Sequence, residues 1–222
     1  MSEEIAALTP APQDEEWWRE RHQEKLKEVA QGDAQLIMIG DSITHSWETT
    51  GATTAEQYYG DRQLLNLGYS GDRTEHVLWR LQHGELEGLS PKLVVLLIGT
   101  NNTGHRLDKP EATAEGINAI VKEIQARVPK ARLLLLGVLP RGAAPDDEMR
   151  QINDRINQLI ARDAKQAGID YLNLDAVFLG EEGRLAEALM PDELHPNAAG
   201  YQVWAEAMEP TLAKLLDEAP GN

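Results

Sequence analysis

Short apolar runs, each stopped by glycine, proline or a polar turn, alternate along this chain with longer stretches of helical periodicity. Leu36–Ile39, Leu64–Leu67, Leu93–Ile98, Leu133–Leu136 and Ile169–Leu174 read as strands. The third is apolar throughout, as a strand covered on both faces should be. Between the strands, apolar and aromatic residues recur at helical spacing. Trp18, His22, Leu26 and Val29 form one such face from about Asp14, and Val77, Leu78 and Leu81 another from about Thr74. Ile117, Ile120, Val121, Ile124 and Val128 follow an opening marked by Asp108, the candidate N-cap, and Pro110; Pro129 ends that helix. Met149, Ile152, Ile156, Leu159 and Ile160 share a face stopped by Gly168. Trp204, Met208, Leu212 and Leu215 share one from about Pro196. After Ser42, where a helix start is read, the chain is polar and Gly- and Thr-rich to about Gly60. Strands alternating with helices predict an α/β domain, a five-stranded parallel sheet between two helical layers with right-handed crossovers. Residues 1–13, with Pro10 and Pro12, read as an extended leader, and 14–222 as one domain that includes an N-terminal helix.

Three strand ends carry glycine followed by polar residues: Gly40-Asp41-Ser42, Gly68 to Asp72, and Gly99-Thr100-Asn101-Asn102. In a parallel sheet these lie along one edge, where ligands bind in open α/β folds. Ser42 stands where a strand hands over to a helix, a place equally suited to a simple helix cap. Gly71 can offer an unobstructed backbone N–H, and Asn101 a side-chain amide. With the Ser42 N–H they make three donors for one oxyanion, as acyl transfer requires. A serine hydroxyl needs a base, and His195 is the candidate because Asp192-Glu193-Leu194-His195 places a carboxylate three residues before it. His45, His76, His83 and His105 have no acid so placed. They read as surface or hydrogen-bonded core residues.

Composition removes several other chemistries. The chain has 222 residues, enough for one ordinary domain, and 41% of them are hydrophobic. A formal net charge of −16 disfavours nucleic acid and anionic membrane surfaces as partners. There is no cysteine, so disulfides, thiolate metal sites and cysteine nucleophiles are excluded. No His-Glu-x-x-His pattern suggests a metal, and Gly68-x-x-Gly71 lacks the dinucleotide-binding spacing, so no metal or cofactor is expected. The acidic N-terminus is unlike a secretory signal and no stretch approaches a membrane span, which suits a cytoplasmic protein. Trp17 and Trp18 are expected to pack on the domain body, with a carbohydrate-stacking platform as the sharper alternative.

The ordered set Gly40-Asp41-Ser42-Ile43, Gly71, Gly99-Thr100-Asn101-Asn102 and Asp192-x-x-His195 resembles the SGNH (GDSL-type) hydrolases. Asn66 to Asp72, His76 to Leu81, Gly84 to Glu87 and Gly137 to Gly142 look like the platelet-activating-factor acetylhydrolase catalytic-subunit branch. Ile43 stands in place of the commonest leucine, and Asn102 in place of the usual acid, as in that branch. The N-terminal helix is taken to lie outside the match. The resemblance implies a flavodoxin-like three-layer fold and a Ser-His-Asp triad that removes short acyl groups. Ser42 would be the nucleophile, His195 the base, Asp192 its orienter, and Gly71 and Asn101 oxyanion donors. Ile43, Thr100 and Leu194 adjoin these positions and are expected to wall a small acyl pocket. The resemblance also implies a small-molecule ester substrate and a homodimer. An acetylated carbohydrate, a lysophospholipid or a thioester remain alternative substrates, and an acidic binding module the non-enzymatic alternative.

Overall fold

The computed structural model describes residues 6–218. Strands β1 (Leu36–Gly40), β2 (Leu64–Gly68), β3 (Leu93–Leu97), β4 (Arg132–Leu136) and β5 (Asp170–Leu172) pair in parallel, in the order β2-β1-β3-β4-β5. The chain steps outward from β1 to β2, then returns to the other side of β1. That reversal opens a crevice at the carboxyl ends of β1 and β3, the usual ligand position in such sheets. This is the expected α/β sandwich of the flavodoxin-like type.

Side-chain alternation divides the core into two layers. Ile37, Ile39, Leu65, Leu67, Val94, Leu96 and Leu135 face one side. There they meet helices α4 (Thr74–Gln82), α6 (Pro110–Arg127) and α7 (Glu148–Ala167) through Val77, Ile117, Ile120 and Ile156. Leu36, Met38, Val95, Leu97, Leu134 and Leu136 face the other side, against α9 (Ala198–Leu215) with Trp204, Met208 and Leu212. Each fully buried aliphatic side chain of this kind contributes about 1.5–3 kcal/mol by leaving water.

Two short helices follow strand ends directly: α2 (Ser42–His45) after β1 and α5 (Thr100–Arg106) after β3. A further helix, α3 (Ala52–Tyr59), occupies the stretch read as element-free. Its Tyr59 packs edge-on to Trp47 at 5.3 Å between ring centroids, and Trp47 packs on Tyr201 at 4.5 Å and Trp204 at 4.9 Å. Aromatic packing rather than an aliphatic stripe holds it, so helical periodicity does not reveal it. A one-turn helix, α8 (Asp175–Phe178), follows β5. Asp108 does not cap α6. Its carboxylate instead accepts from Asn102 Nδ2 at 3.1 Å and Arg106 Nη2 at 2.6 Å.

The N-terminal helix α1 (Glu16–Val29) buries Trp18, His22, Lys25 and Val29. Trp18 is fully enclosed, whereas Trp17 is 39% exposed, so only one of the pair packs inside. Upstream of it, Ala7 accepts from Thr74 Oγ1 at 2.8 Å, and Gln13 donates to the Ser70 carbonyl at 3.0 Å. Residues 1–5, part of the stretch read as a leader, lie outside the described residues.

Candidate active site

Gly40 and Gly68 are partners in the β1–β2 register. A β-carbon at Gly40 would collide with Thr44 and the Leu97 carbonyl, and one at Gly68 with the backbone of His45. These paired glycines let α2 sit directly on the end of the sheet. Asn66 fastens it there, donating from Nδ2 to the Thr44 carbonyl at 2.9 Å while its Oδ1 accepts the Gly68 N–H at 2.8 Å. From the far side, Tyr201 of α9 donates to the Ile43 carbonyl at 2.6 Å. Asp41 caps the helix, accepting the Ile43 N–H at 2.9 Å. Ser42 is thereby held at the first position of α2, half-buried at the sheet edge.

His195 comes from the loop before α9. Its Nε2 lies 3.0 Å from Ser42 Oγ, and its Nδ1 lies 2.6 Å from Asp192 Oδ2. A carboxylate only accepts, so Nδ1 carries the proton toward Asp192 and Nε2 is left to accept from the serine. Asp192 Oδ1 also accepts the backbone N–H groups of His195 at 2.6 Å and Leu194 at 3.0 Å. The Asp192-x-x-His195 spacing works because Glu193 takes a left-handed conformation, φ +60°, which folds the loop back on itself. Burial alone would raise the Asp192 pKa, but these hydrogen bonds and the His195 charge hold it below the usual carboxylate range. Both side chains reach solvent, His195 at 40% and Asp192 at 54% exposure. The site is an open edge rather than a closed cavity.

The second polar turn supplies Gly71, whose φ of +78° suits glycine. The third supplies Asn101, buried at the start of α5, with Nδ2 donating to the Asp72 carbonyl at 3.0 Å. The two turns are thus joined beside the Ser42 helix. Of the three residues expected to wall the acyl pocket, Ile43 and Thr100 are each 2% exposed, and Ile43 packs into the apolar core. Leu194 is only half-buried and keeps open surface.

Behind Gly71 lies a buried polar network that periodicity did not disclose. Asp72 accepts from Arg80 Nε at 2.8 Å, Trp18 Nε1 at 2.7 Å and Gln13 Nε2 at 2.7 Å. Arg80 also pairs with Glu85, which approaches His22 Nδ1 at 3.3 Å, and lies over the Tyr69 ring at 3.9 Å. The available signal was Arg80 itself, which falls three residues after Val77 on the buried face of α4. His45, also not singled out, places Nδ1 3.0 Å from Ser70 Oγ. Burial lowers its pKa to about 4. Among the described residues no group of three or more His, Cys, Asp or Glu side chains is placed to hold a metal ion. No described helix is long and apolar enough to cross a membrane.

Burial pushes the Asp41 pKa up to about 7 against the opposing Ile43 N–H, and that of Asp72 up to about 6 against Arg80. A carboxyl raised on folding stabilises the fold fully at low pH, and this contribution is lost as pH rises through the folded pKa. Asp41→Asn keeps the capping oxygen but cannot ionise. Between pH 4 and pH 8, wild type is therefore expected to lose a few kcal/mol of stability relative to Asp41→Asn. Urea unfolding across that range checks this; a constant difference would show that Asp41 does not titrate there.

Known proteins resemble this chain in sequence and in fold. Residues 38–203 match the model of the GDSL-like Lipase/Acylhydrolase family. The chain is 34% identical over 228 residues to platelet-activating factor acetylhydrolase IB subunit alpha1 of Bos taurus, covering 99% of this chain and 94% of that one. It is 33% identical over 219 residues to subunit alpha2 of Homo sapiens, covering 97% and 93%. These alignments take in α1, which sequence reading had placed outside the match. A GDSL-like lipase structure from Bacteroides thetaiotaomicron superposes with a TM-score of 0.71 at 23% identity, covering 87% of this chain and 97% of that one. An acetylxylan esterase from Geobacillus stearothermophilus gives 0.66 at 18%, covering 85% and 96%. At these identities the two structures speak for the fold, and the family model and the acetylhydrolase relatives for descent. With its motif blocks in order and its Ser42, His195 and Asp192 in hydrogen-bonded contact, this chain belongs to the GDSL-like lipase/acylhydrolase family.

Proposed function

We propose that the protein is a serine esterase that removes short acyl groups, acetyl foremost, by two-step acyl transfer. The observation that carries this is the 3.0 Å contact between Ser42 Oγ and a His195 ring oriented by Asp192. Ser42 Oγ attacks the ester carbonyl carbon as its proton passes to His195 Nε2. The Ser42 N–H, the Gly71 N–H and the second amide N–H of Asn101 bind the oxyanion; the first is engaged by the Asp72 carbonyl. Collapse expels the alcohol, which takes the proton from His195. Water, deprotonated by the same nitrogen, then releases the acid and restores Ser42.

A fluorophosphonate probe labels a serine only where a base activates it. One equivalent on Ser42, with p-nitrophenyl ester turnover falling steeply from acetate to octanoate, is the expected outcome. An unlabelled Ser42 would return the chain to a binding role on a hydrolase fold. The half-buried Leu194 is expected to limit the acyl group. Leu194→Ala should raise kcat/KM for butyrate and longer esters relative to acetate, and an unaltered chain-length profile would remove it from the pocket.

A second reading concerns the alcohol. Trp17, 39% exposed, stacks on His45 at 6.2 Å between centroids, and His45 lies one turn after Ser42. An exposed aromatic ring at that edge favours an acetylated sugar as substrate. Loss of activity toward acetylated xylan fragments but not p-nitrophenyl acetate in Trp17→Ala would support it.

A further inference from the structure

The Ser70–Gly71 peptide is the central peptide of a tight turn. The Asp72 N–H donates to the Tyr69 carbonyl at 3.1 Å and closes the turn, and Gly71 stands at its third position with φ +78°. A positive φ there is the mark of a type II turn. The commoner type I turn joins the same four residues with the central peptide flipped, so that its N–H and C=O exchange sides. The two forms hardly differ in the path of the chain. They differ in what they can offer the crevice: an N–H in one, a carbonyl oxygen in the other. Among the described residues no acceptor takes the Gly71 N–H, which leaves it available to a ligand.

One side chain from outside the sheet bears on this choice. Half-buried Gln13 lies over Gly71, where a β-carbon would stand 3.5 Å from its amide. Gln13 Nε2 donates to the Ser70 carbonyl at 3.0 Å, the oxygen of the same peptide whose N–H belongs to Gly71. Its second N–H goes to Asp72 Oδ1 at 2.7 Å, so one amide group brackets Gly71 from both sides. The segment that brings Gln13 reads in sequence as an extended leader, yet it is pinned to α4 at two points. Thr74 Oγ1 donates to the Ala7 carbonyl at 2.8 Å, and the Ala11 N–H donates to the Glu75 carbonyl at 3.2 Å. Other contacts hold the turn without choosing its form. The Ser70 N–H and Oγ both meet His45 Nδ1, at 3.4 and 3.0 Å, and Arg21 Nε donates to the Gly68 carbonyl at 2.9 Å. None of these touches the Ser70 carbonyl.

We propose that Gln13 is a positioning residue for acyl transfer: by donating to the Ser70 carbonyl, it holds the Ser70–Gly71 peptide in the orientation that aims the Gly71 N–H at the oxyanion. A donor on the carbonyl also polarises the peptide and makes its N–H the stronger donor. In the flipped form a carbonyl oxygen would face the developing negative charge and repel it. The Asp72 contact extends the effect, since the Asp72 carbonyl accepts from Asn101. This inference rests on the esterase reading for the use of the N–H, but not for the orientation of the peptide.

Two variants of similar length separate donation from packing. Gln13→Met fills the space without a donor, and Gln13→Lys restores N–H donors at similar reach. Gln13→Met is expected to lower kcat for p-nitrophenyl acetate about tenfold with KM within about twofold, because the oxyanion forms only in the transition state. Gln13→Lys should stay within about threefold of wild type. Equal losses in the two variants, or a loss carried by KM, would assign Gln13 to packing and overturn the proposal. Full activity in Gln13→Met would overturn it too. Should Gln13→Met not fold, Gln13→Ala removes the donor without adding apolar surface beside Asp72 and carries the same expectations. If wild type cleaves no ester, the esterase reading fails separately, and crystal structures decide the orientation of the peptide. The Ser70–Gly71 plane flipped, or split between two orientations, in Gln13→Met but not in wild type or Gln13→Lys upholds the clamp. A peptide that keeps its wild-type orientation in Gln13→Met overturns it.

Discussion

Ser42→Ala is expected to lower kcat for p-nitrophenyl acetate by on the order of 10⁴–10⁶-fold while leaving KM nearly unchanged. The substitution removes the only atom that forms the acyl bond and leaves the local structure standing. The capping oxygen of Asp41 and the glycine seat formed by Gly40 and Gly68 do not involve the serine hydroxyl. Far-ultraviolet circular dichroism should therefore match wild type. Residual turnover above the uncatalysed rate would come from the oxyanion donors alone. Asn101→Ala provides the contrast: losing one proposed oxyanion donor while keeping the nucleophile is expected to cost about 10²–10³ in kcat. Turnover of Ser42→Ala within tenfold of wild type would remove the serine from the chemistry.

The second large effect falls on stability. Arg80→Met is expected to destabilise the fold by about 3–5 kcal/mol near pH 8, because it leaves Asp72 and Glu85 buried without their cation. All three side chains are fully enclosed. The penalty depends on charge, so its pH dependence has a definite sign. Burial already raises Asp72 to about 6 with Arg80 in place, and without Arg80 it is raised further. As pH falls from 8 to 5, the carboxyl takes up a proton and the deficit shrinks. Urea unfolding at the two pH values measures this. Adding Asp72→Asn and Glu85→Gln should recover part of the loss, and a deficit independent of both pH and partner would assign it to packing alone. Catalysis should suffer with stability, since the Asp72 carbonyl orients Asn101 and its N–H follows Gly71.

The strands were legible because a sheet covered on both faces demands unbroken apolar runs, and their ends because Gly40, Gly68 and Gly99 punctuate them. Ser42 and Asn101 could be singled out because a parallel sheet gathers those strand ends on one edge, and His195 because Asp192 stands three residues before it. What escaped was set by contacts distant in sequence. Helix α3 is held by Tyr59 against Trp47, an aromatic cluster completed by Tyr201 and Trp204 far along the chain. Arg80, Glu75 and His76 all lie buried in α4, although charged residues in a helix ordinarily mark its wet face. Their partners, Asp72, Glu85 and Arg106, are invisible to periodicity. Asp108 had the right residue type and place for a cap, but Arg106 and Asn102 claimed it first. Trp17 and Trp18 are neighbours whose fates diverge because adjacent helical positions point about 100° apart.

The hydrogen bond between Ser42 and His195 joins residues 153 apart in sequence. Nearly the whole chain must be in place before it can form, whereas β1, β2 and β3 can pair using residues 36–97 alone. Closing so long a loop is entropically slow, and most of the structure precedes it. Catalytic competence is thus a property of the finished chain and of its last segments in particular. A molecule interrupted before the loop that carries Asp192 and His195 could keep its sheet and its nucleophile yet remain chemically silent.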